Sequence, residues 1–503
     1  MPVPDTTSLG GHWLVLALIA PIAGLLLAVL LGGRHAQRVA MTTIALGTIA
    51  TMAVALHMID SGDAVVYRLG GWAPPLGIVL RADGLSLTMM LATVAVLAAI
   101  AGFARADFAT PLGAREARAP FVFWIMLLGV WAGLLVAFLA GDLFTLYIAL
   151  ELVAFAAVPL VCLDGTGETV RAALRYLLYA LAGSVLYLLG AVLIYGGYGT
   201  LDIATLAVAA RADTATIAAV ALMTAGLLAK TALFPLHLWL PPAHAGAPAA
   251  ASALLSALVI KGSFFIVIRL WLDAFGGVVT VGAAQLLAAL GAVAIIAGSA
   301  VALRQPRLKL MVAYSTVAQI GYLFLMFPLA LGATSRGGAA AAAAGGILQA
   351  VSHATAKAAM FMAAGLLYAA LGHDRVADLR GAARALPMTV AAFALSGIAL
   401  IGLPPAGGFL AKWLLLSSAL DSGQWWWAVV IAVGGMLTAA YVFTVLSYAL
   451  ATPQTAVAVA PVSRSREAVV LALAVLSAVL GVAALPPLEL VLAGRELLAG
   501  GTR

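Results

Sequence analysis

Apolar residues in this chain run in repeated blocks with short charged stretches between them. Each block has the roughly 20 residues that an α-helix needs to cross the hydrocarbon core of a bilayer. Fourteen candidate spans follow: 12–32, 39–59, 83–104, 121–140, 142–163, 171–196, 216–241, 249–272, 279–303, 309–331, 340–371, 388–416, 424–450 and 466–486. Only 9% of the 503 residues are charged and 65% are hydrophobic, whereas about a quarter of a soluble chain is charged. The loops are too short for an independent soluble domain. The expected fold is an all-α polytopic membrane protein.

Threading the spans alternately sorts the arginines. One side receives Arg34, Arg38, Arg105, Arg115, Arg118, Arg171, Arg175, Arg304, Arg307, Arg375, Arg380, Arg384, Arg464 and Arg466, with Lys309. The other receives Arg68, Arg81, Arg211, Arg336, Arg495 and Arg503, with Arg269 near that end of the eighth span. The positive-inside rule makes the richer side cytoplasmic, so both termini are expected outside an inner (plasma) membrane. The net charge of +7 is thereby used for orientation and does not indicate nucleic acid. The single cysteine, Cys162, lies in a span, which leaves no disulfide framework and no zinc or iron–sulfur site within this chain. The N-terminus lacks a positive stretch before its first apolar block, so no cleaved signal peptide is read.

Two spans carry helix breakers in their middles. The seventh contains Lys230, Pro235, His237 and Trp239; the twelfth contains Gly402, Pro404, Pro405, Gly407, Gly408 and Lys412. Proline removes a backbone donor and clashes with the preceding turn. Broken helices at membrane depth are tolerated where they line an enclosed or hydrated cavity, and paired breaks point to inverted repeats about a central site. The breaks lie five spans apart. An odd offset reverses orientation, so spans four to eight and nine to thirteen are expected to be two inverted five-helix repeats.

Lysine is the informative residue. There are five, and four of them, Lys230, Lys261, Lys357 and Lys412, fall within spans while arginine supplies nearly all loop charge. A lysine at the bilayer centre costs roughly 2.5–3.5 kcal/mol. Four of them with Glu151 would cost on the order of 10 kcal/mol if unpaired, which rivals the stability of a whole domain. Lysine exchanges its proton under environmental pressure and arginine does not. These residues are therefore candidates for loading and releasing a proton.

Plainer roles stand beside that one. Glu151 is a structural partner for a buried lysine as readily as a proton group. Lys230 and Lys261 can snorkel, and Lys412 can bond carbonyls freed by the break. His353 and Lys357, at i and i+4, share a helix face; His353 is either a relay, since histidine titrates near neutral pH, or a satisfied buried ring. His237 and His244 are secondary relay candidates beyond Pro235. Lys309 reads as an ordinary charge at the cytoplasmic end of its span. The chain shows no phosphate-cradling glycine loop, no metal cluster and no nucleophile with a nearby base, so neither a cofactor nor a catalytic redox site is expected. The Gly and Ala abundance reflects close helix packing.

The stretch from Lys230 through Pro235, His237, Trp239, Pro241 and His244 to Pro248, continuing through Ser252 to Lys261, resembles the signature of the antiporter-like membrane subunits. These are shared by respiratory complex I, Mrp-type cation/proton antiporters and membrane-bound hydrogenases. Leu143 to Glu151 resembles the family's fifth-helix glutamate motif, and Leu308 to Tyr322, with Tyr314, Ser315, Gln319 and Gly321, resembles a third. Ser352 to Lys357 and Gly402 to Lys412 resemble the fourth and fifth. The wording around Lys230, and lysine at the last position, are most similar to the D-type subunits of Mrp antiporters.

The resemblance implies a proton-translocating subunit. Glu151 would pair with Lys230, Lys261 would continue the pathway, His353 and Lys357 would bridge the repeats, and Lys412 would end it. Partners would be other membrane subunits of a multisubunit antiporter or respiratory complex, with protons as cargo; whether sodium is also carried stays open. Residues 1–120 would form three N-terminal helices, 121–272 and 279–450 the two repeats, and 451–503 a final loop and helix. Two departures stand out: Pro242 where the family usually shows aspartate, and Arg307 and Leu310 at the ends of a motif usually reading Asp-Leu-Lys-Arg. Three readings compete: an Mrp-type antiporter subunit, a pump module of a complex I-like oxidoreductase or hydrogenase, and an inert helical scaffold.

Overall fold

A computed structural model describes residues 7–482 except 9, 112, 115 and 453–459. Arg115, Arg495, Arg503 and the end of the fourteenth candidate span lie outside the described residues. Among the described residues, twelve helices are long and apolar enough to cross a membrane, from Gly11–Leu31 to Trp425–Leu450. They coincide with candidate spans one to eleven and thirteen. Both expected interruptions are present. The seventh span is the helix Thr214–Thr231, an irregular stretch and the short helix Leu240–Gly246. The twelfth is Pro387–Ile401 followed by Gly407–Asp421. These two helices of 15 residues each, and Arg464–Val479 with 16, fall short of a full crossing, so length and composition alone do not reach fourteen.

Helix starts follow from aspartate and threonine. Asp83, Asp142, Asp202 and Asp213 each accept a hydrogen bond from the amide three residues on, and Thr166 and Thr280 do the same. Such caps satisfy one of the orphan donors of a first turn. Gly402, at φ 89°, ends the first half of the twelfth span in a left-handed conformation that a side chain would oppose.

The loops meet on two faces. A two-stranded antiparallel hairpin, Val65–Arg68 with Val79–Ala82, joins spans two and three. It carries no signal in the span pattern. Leu80 of the hairpin bridges Ala140, between spans four and five, and Asp142 in turn bridges Asp202, between spans six and seven. On the opposite face Arg307, between spans nine and ten, bridges Arg375, between spans eleven and twelve. Arg466, at the start of the fourteenth helix, reaches Asp107, between spans three and four, at 2.5 Å.

Burial separates centre from rim. The most apolar window of the eighth span is 100% buried, against 28% for the first and 33% for the thirteenth. Glycine brings the sixth and seventh spans to backbone contact: a Cβ on Gly183 would stand 2.6 Å from the Gly226 carbonyl oxygen. Lys230 follows one turn later. Lys261 and Lys357 therefore sit on enclosed helices, the eighth and eleventh spans, while Lys230 and Lys412 are buried on the inner faces of helices that also have exposed faces.

Candidate functional site: a buried polar axis

The site begins where the seventh span breaks. Its first helix stops as Ala232 turns left-handed, at φ 57°. Trp239, coming back after the break, donates its indole N–H to the freed Ala229 carbonyl at 2.9 Å, and its ring stacks on Tyr176 with centroids 4.3 Å apart. That leaves the last-turn Lys230 free to cross to the fifth span. Its Nζ donates to the Leu150 carbonyl at 3.1 Å and lies 3.8 Å from Glu151 Oε1. The glutamate is less enclosed than the sequence suggests, with 17% of its side chain exposed against 7% for Lys230. Beside the pair is a cavity of about 20 Å³ lined by Leu150, Tyr176, Lys230 and Ser263 among others.

A hydroxyl step leads onward. Thr231 Oγ1 is 3.0 Å from Ser263 Oγ on the eighth span. Two residues earlier on that helix is Lys261. Residues Leu255–Val259 form a π-helical turn, which loosens the regular bonding. The Lys261 ammonium uses it, donating to the Ser256 carbonyl at 2.7 Å. The same Nζ meets Nδ1 of His353 on the eleventh span.

From His353 the axis descends one turn to Lys357. Its Nζ donates to the Val312 carbonyl at 3.0 Å and to Ser315 Oγ, both on the tenth span. One turn past Ser315 is Gln319, which accepts from Gln349 at 3.0 Å and donates to the Leu400 carbonyl at 3.2 Å. Lys412 donates to that same carbonyl at 2.7 Å and to Ile401 at 3.1 Å. It also sits over the Tyr322 ring, 4.1 Å from the centroid. Among the described residues no ion pair includes Lys261, Lys357 or Lys412.

The structure places Glu151, Lys230, Lys261, His353, Lys357 and Lys412 in a row, with direct contacts at Glu151–Lys230, Lys261–His353 and Lys357–Ser315 and single helix steps between them. It leaves His237 and His244 beside that row. His237 lies half-buried in the break, stacked on Phe234. His244 is fully buried against Phe361, and neither ring nitrogen has a protein partner. Pro235, Pro404 and Pro405 occupy the breaks on their exposed sides. Lys309 departs from the expectation of an ordinary surface charge. It is half-buried, and its ammonium bonds the Ala247 carbonyl in the turn between spans seven and eight. Of the two departures from the motif, Arg307 finds its own partner in Asp374 at 3.1 Å, and Pro242 is taken up in the helix Leu240–Gly246.

Sequence reasoning missed the linkers Thr231, Ser263 and Gln349. It gave Ser315, Gln319 and Tyr322 a motif without a place. A polar residue every fourth position in an otherwise apolar helix, as at Ser315 and Gln319, marks a face turned to the interior.

Residues 140–438 match the transmembrane region of the NADH:quinone oxidoreductase/Mrp antiporter family. The chain belongs to that family. All six axis residues fall inside the matched stretch, and the helices of the first four spans and the last helix fall outside it. The chain is 37% identical to an NADH-quinone oxidoreductase subunit N from Desulforudis audaxviator, over 80% of this chain and 79% of that one. It is 31% identical to a D-type subunit of a Na(+)/H(+) antiporter from Alkalihalophilus pseudofirmus, over 76% of each. Its fold is similar to a chain in the structure of the Mrp complex from Dietzia sp. DQ12-45-1b, with a TM-score of 0.87, 26% identity and 98% of both chains covered. The fold is that of a multi-pass membrane subunit of this family.

Proposed function

We propose that this family member is the proton-translocating membrane subunit of a multisubunit cation/proton antiporter of the Mrp type. The observation that carries the reading is the Glu151–Lys230 pair at the head of a row of buried polar groups, some in direct contact and some one helix step apart, that ends at Lys412. Two unit charges about 4 Å apart interact by about 4 kcal/mol at an effective dielectric of about 20. Loss of the Glu151 charge would therefore change how firmly Lys230 holds its proton, and a positive charge arriving from the Lys261 side would oppose it. Protons would pass along Lys261, His353 and Lys357 to Lys412. With no redox group expected on this chain, the driving force would come from an ion gradient or a partner subunit.

The architecture fits. Each five-span unit carries the same loop device, a bridge from the start of its second span to the loop after its third: Asp142 to Asp202, and Arg307 to Arg375. The two bridges lie on opposite faces, as inversion requires. Among the described residues, the loop contacts given above join loops on the same side of a fourteen-span threading, including Arg466 with Asp107. This supports residues 121–272 and 279–450 as the repeats, flanked by 1–120 and 451–503. The arginine distribution supports a hairpin face outside an inner membrane, with both termini there.

A second reading has a specific observation behind it. The relative at 37% identity is named as a subunit of an NADH-quinone oxidoreductase, so the same axis would serve a redox-driven pump. Partners copurifying with the tagged chain separate the two: small antiporter subunits on the first reading, quinone-reductase or hydrogenase subunits on the second. The axis itself is tested in vesicles carrying the whole complex. Glu151→Gln and Lys230→Ala should each abolish dissipation of a pH gradient at normal subunit levels. Normal transport in both would sink the axis and return the chain to a scaffold.

A further inference from the structure

The eighth span carries three residues in register above one another. Lys261, Phe265 and Arg269 are spaced by four, so they line one helix face, with about 12 Å of helix rise from the first to the last. Lys261 is the axis lysine. Phe265 is 1% exposed and meets Phe138 of the fourth span edge-on, with centroids 5.0 Å apart. The Arg269 guanidinium lies over the Phe265 ring, 4.9 Å from its centroid.

Arg269 is held from all sides. Its two terminal nitrogens take both oxygens of Asp83 at 2.6 and 2.7 Å. Nη1 also reaches Asp273 at 2.7 Å, and Nη2 reaches Ser86 Oγ at 2.8 Å. Ser86 donates to the Phe138 carbonyl at 2.6 Å. Residues Arg269–Ala274 form a second π-helical turn, the kind of local widening that tends to mark functional positions. Asp83 is 1% exposed and Arg269 8%. The cluster therefore ties together the ends of spans three, four and eight on the hairpin face, directly over the midpoint of the axis. Asp83 lies outside the stretch 140–438 that carries the family match.

We infer that Asp83, Arg269 and Ser86 are positioning residues of a seal that closes the hairpin-face exit above Lys261. An arginine keeps its charge in proteins, so Arg269 does not pass protons on. A guanidinium locked in place over an aromatic plug by two carboxylates fills the space above Lys261 and denies water a continuous path. Protons reaching Lys261 then leave along His353 and not straight through the eighth span. This rests on the proposed axis and adds the reason that the axis runs lengthwise.

The test uses vesicles carrying the whole complex, with no driving ion gradient. Passive proton flux is read from the decay of an imposed pH gradient. Asp83→Asn keeps a capping side chain and removes the charge that fixes Arg269. It should raise passive flux about tenfold or more, a barrier drop of about 1.4 kcal/mol. Adding Lys261→Ala should return the flux to the parental level, which a merely loosened structure would not do. Ser86→Ala is the second variant where Asp83→Asn lowers subunit levels: it removes one of the two bonds of Arg269 Nη2, leaves the bond to Asp83 and keeps every charge, and should give a smaller leak with the same dependence on Lys261. Unchanged flux in the variant that assembles overturns the seal, and so does a leak that persists without Lys261. Neither outcome touches the axis, which fails instead if Glu151→Gln and Lys230→Ala transport normally.

Discussion

The two broken helices are closed by different means. At the first break Trp239 caps the freed Ala229 carbonyl, and Lys230 is released to cross to a carboxylate on the fifth span. At the second break the lysine is itself the cap. Lys412 bonds the carbonyls of Leu400 and Ile401 in its own span, rests over Tyr322, and has no carboxylate partner among the described residues. One end of the axis holds a lysine governed by a neighbouring charge. The other holds a lysine governed by backbone dipoles and an aromatic face. The first can respond to an event at the Glu151 edge, whereas the second is bound to the conformation of the break.

The sharpest consequence is a difference between two variants. Lys412→Met leaves the Ile401 carbonyl without its side-chain donor, at about 1–3 kcal/mol, while Leu400 keeps its bond from Gln319. It should lower the thermal stability of the purified complex as well as stop transport. Lys230→Met combined with Glu151→Gln, which strands no carboxylate, should stop transport with a clearly smaller stability loss, because Trp239 still closes its break. Equal losses in a melting experiment on the two complexes would erase the distinction. Trp239→Phe comes next. It keeps a ring against Tyr176, removes the shorter of the two bonds to Ala229 while that from Ala232 N–H stays, and trims a buried indole, for about 1–3 kcal/mol together; the same melting experiment should show a loss at the first break while Lys412 stays in place. Tyr322→Leu should cost less, about 0.5–2 kcal/mol for the lost cation–π contact, and should alter the pH profile of transport more than its maximum. An unaltered profile would separate Tyr322 from the working of Lys412. Lys309→Ala should be mildest. It removes one bond to Ala247, about 0.5–1.5 kcal/mol, and should leave gradient dissipation near normal; severe loss of transport there would make the half-buried Lys309 part of the pathway.

The contrast between the breaks is only half legible in the sequence. Proline and glycine announce an interruption wherever they fall inside an apolar block, so both breaks are readable, as are the lysines, because charge inside a span has no neutral explanation. What closes each break is not readable. Trp239 reaches back ten residues across an irregular turn, and Lys412 turns back onto Leu400, twelve residues earlier; both depend on the path of the turn. The capping role open to Lys412 is the geometry observed, beside its place on the axis. Lys309 misleads because proximity to a helix end resembles exposure until the Ala247 turn is seen to lie over it. Asp83 and Arg269 stand 186 residues apart, and no local pattern ties them. The count of fourteen is blurred by the breaks themselves, which split a crossing into helices too short to register as one.

On the proposed axis Lys230 works by changing its protonation, and Lys230→Arg separates that from the action of a fixed charge. Arginine keeps the positive charge and can reach the Leu150 carbonyl and Glu151, but it does not release its proton. In vesicles carrying the complex at parental subunit levels, Lys230→Arg should assemble and pair with Glu151 yet fail to dissipate a pH gradient. Transport at the parental rate would contradict the account, because a fixed charge would then suffice where a titrating one is required.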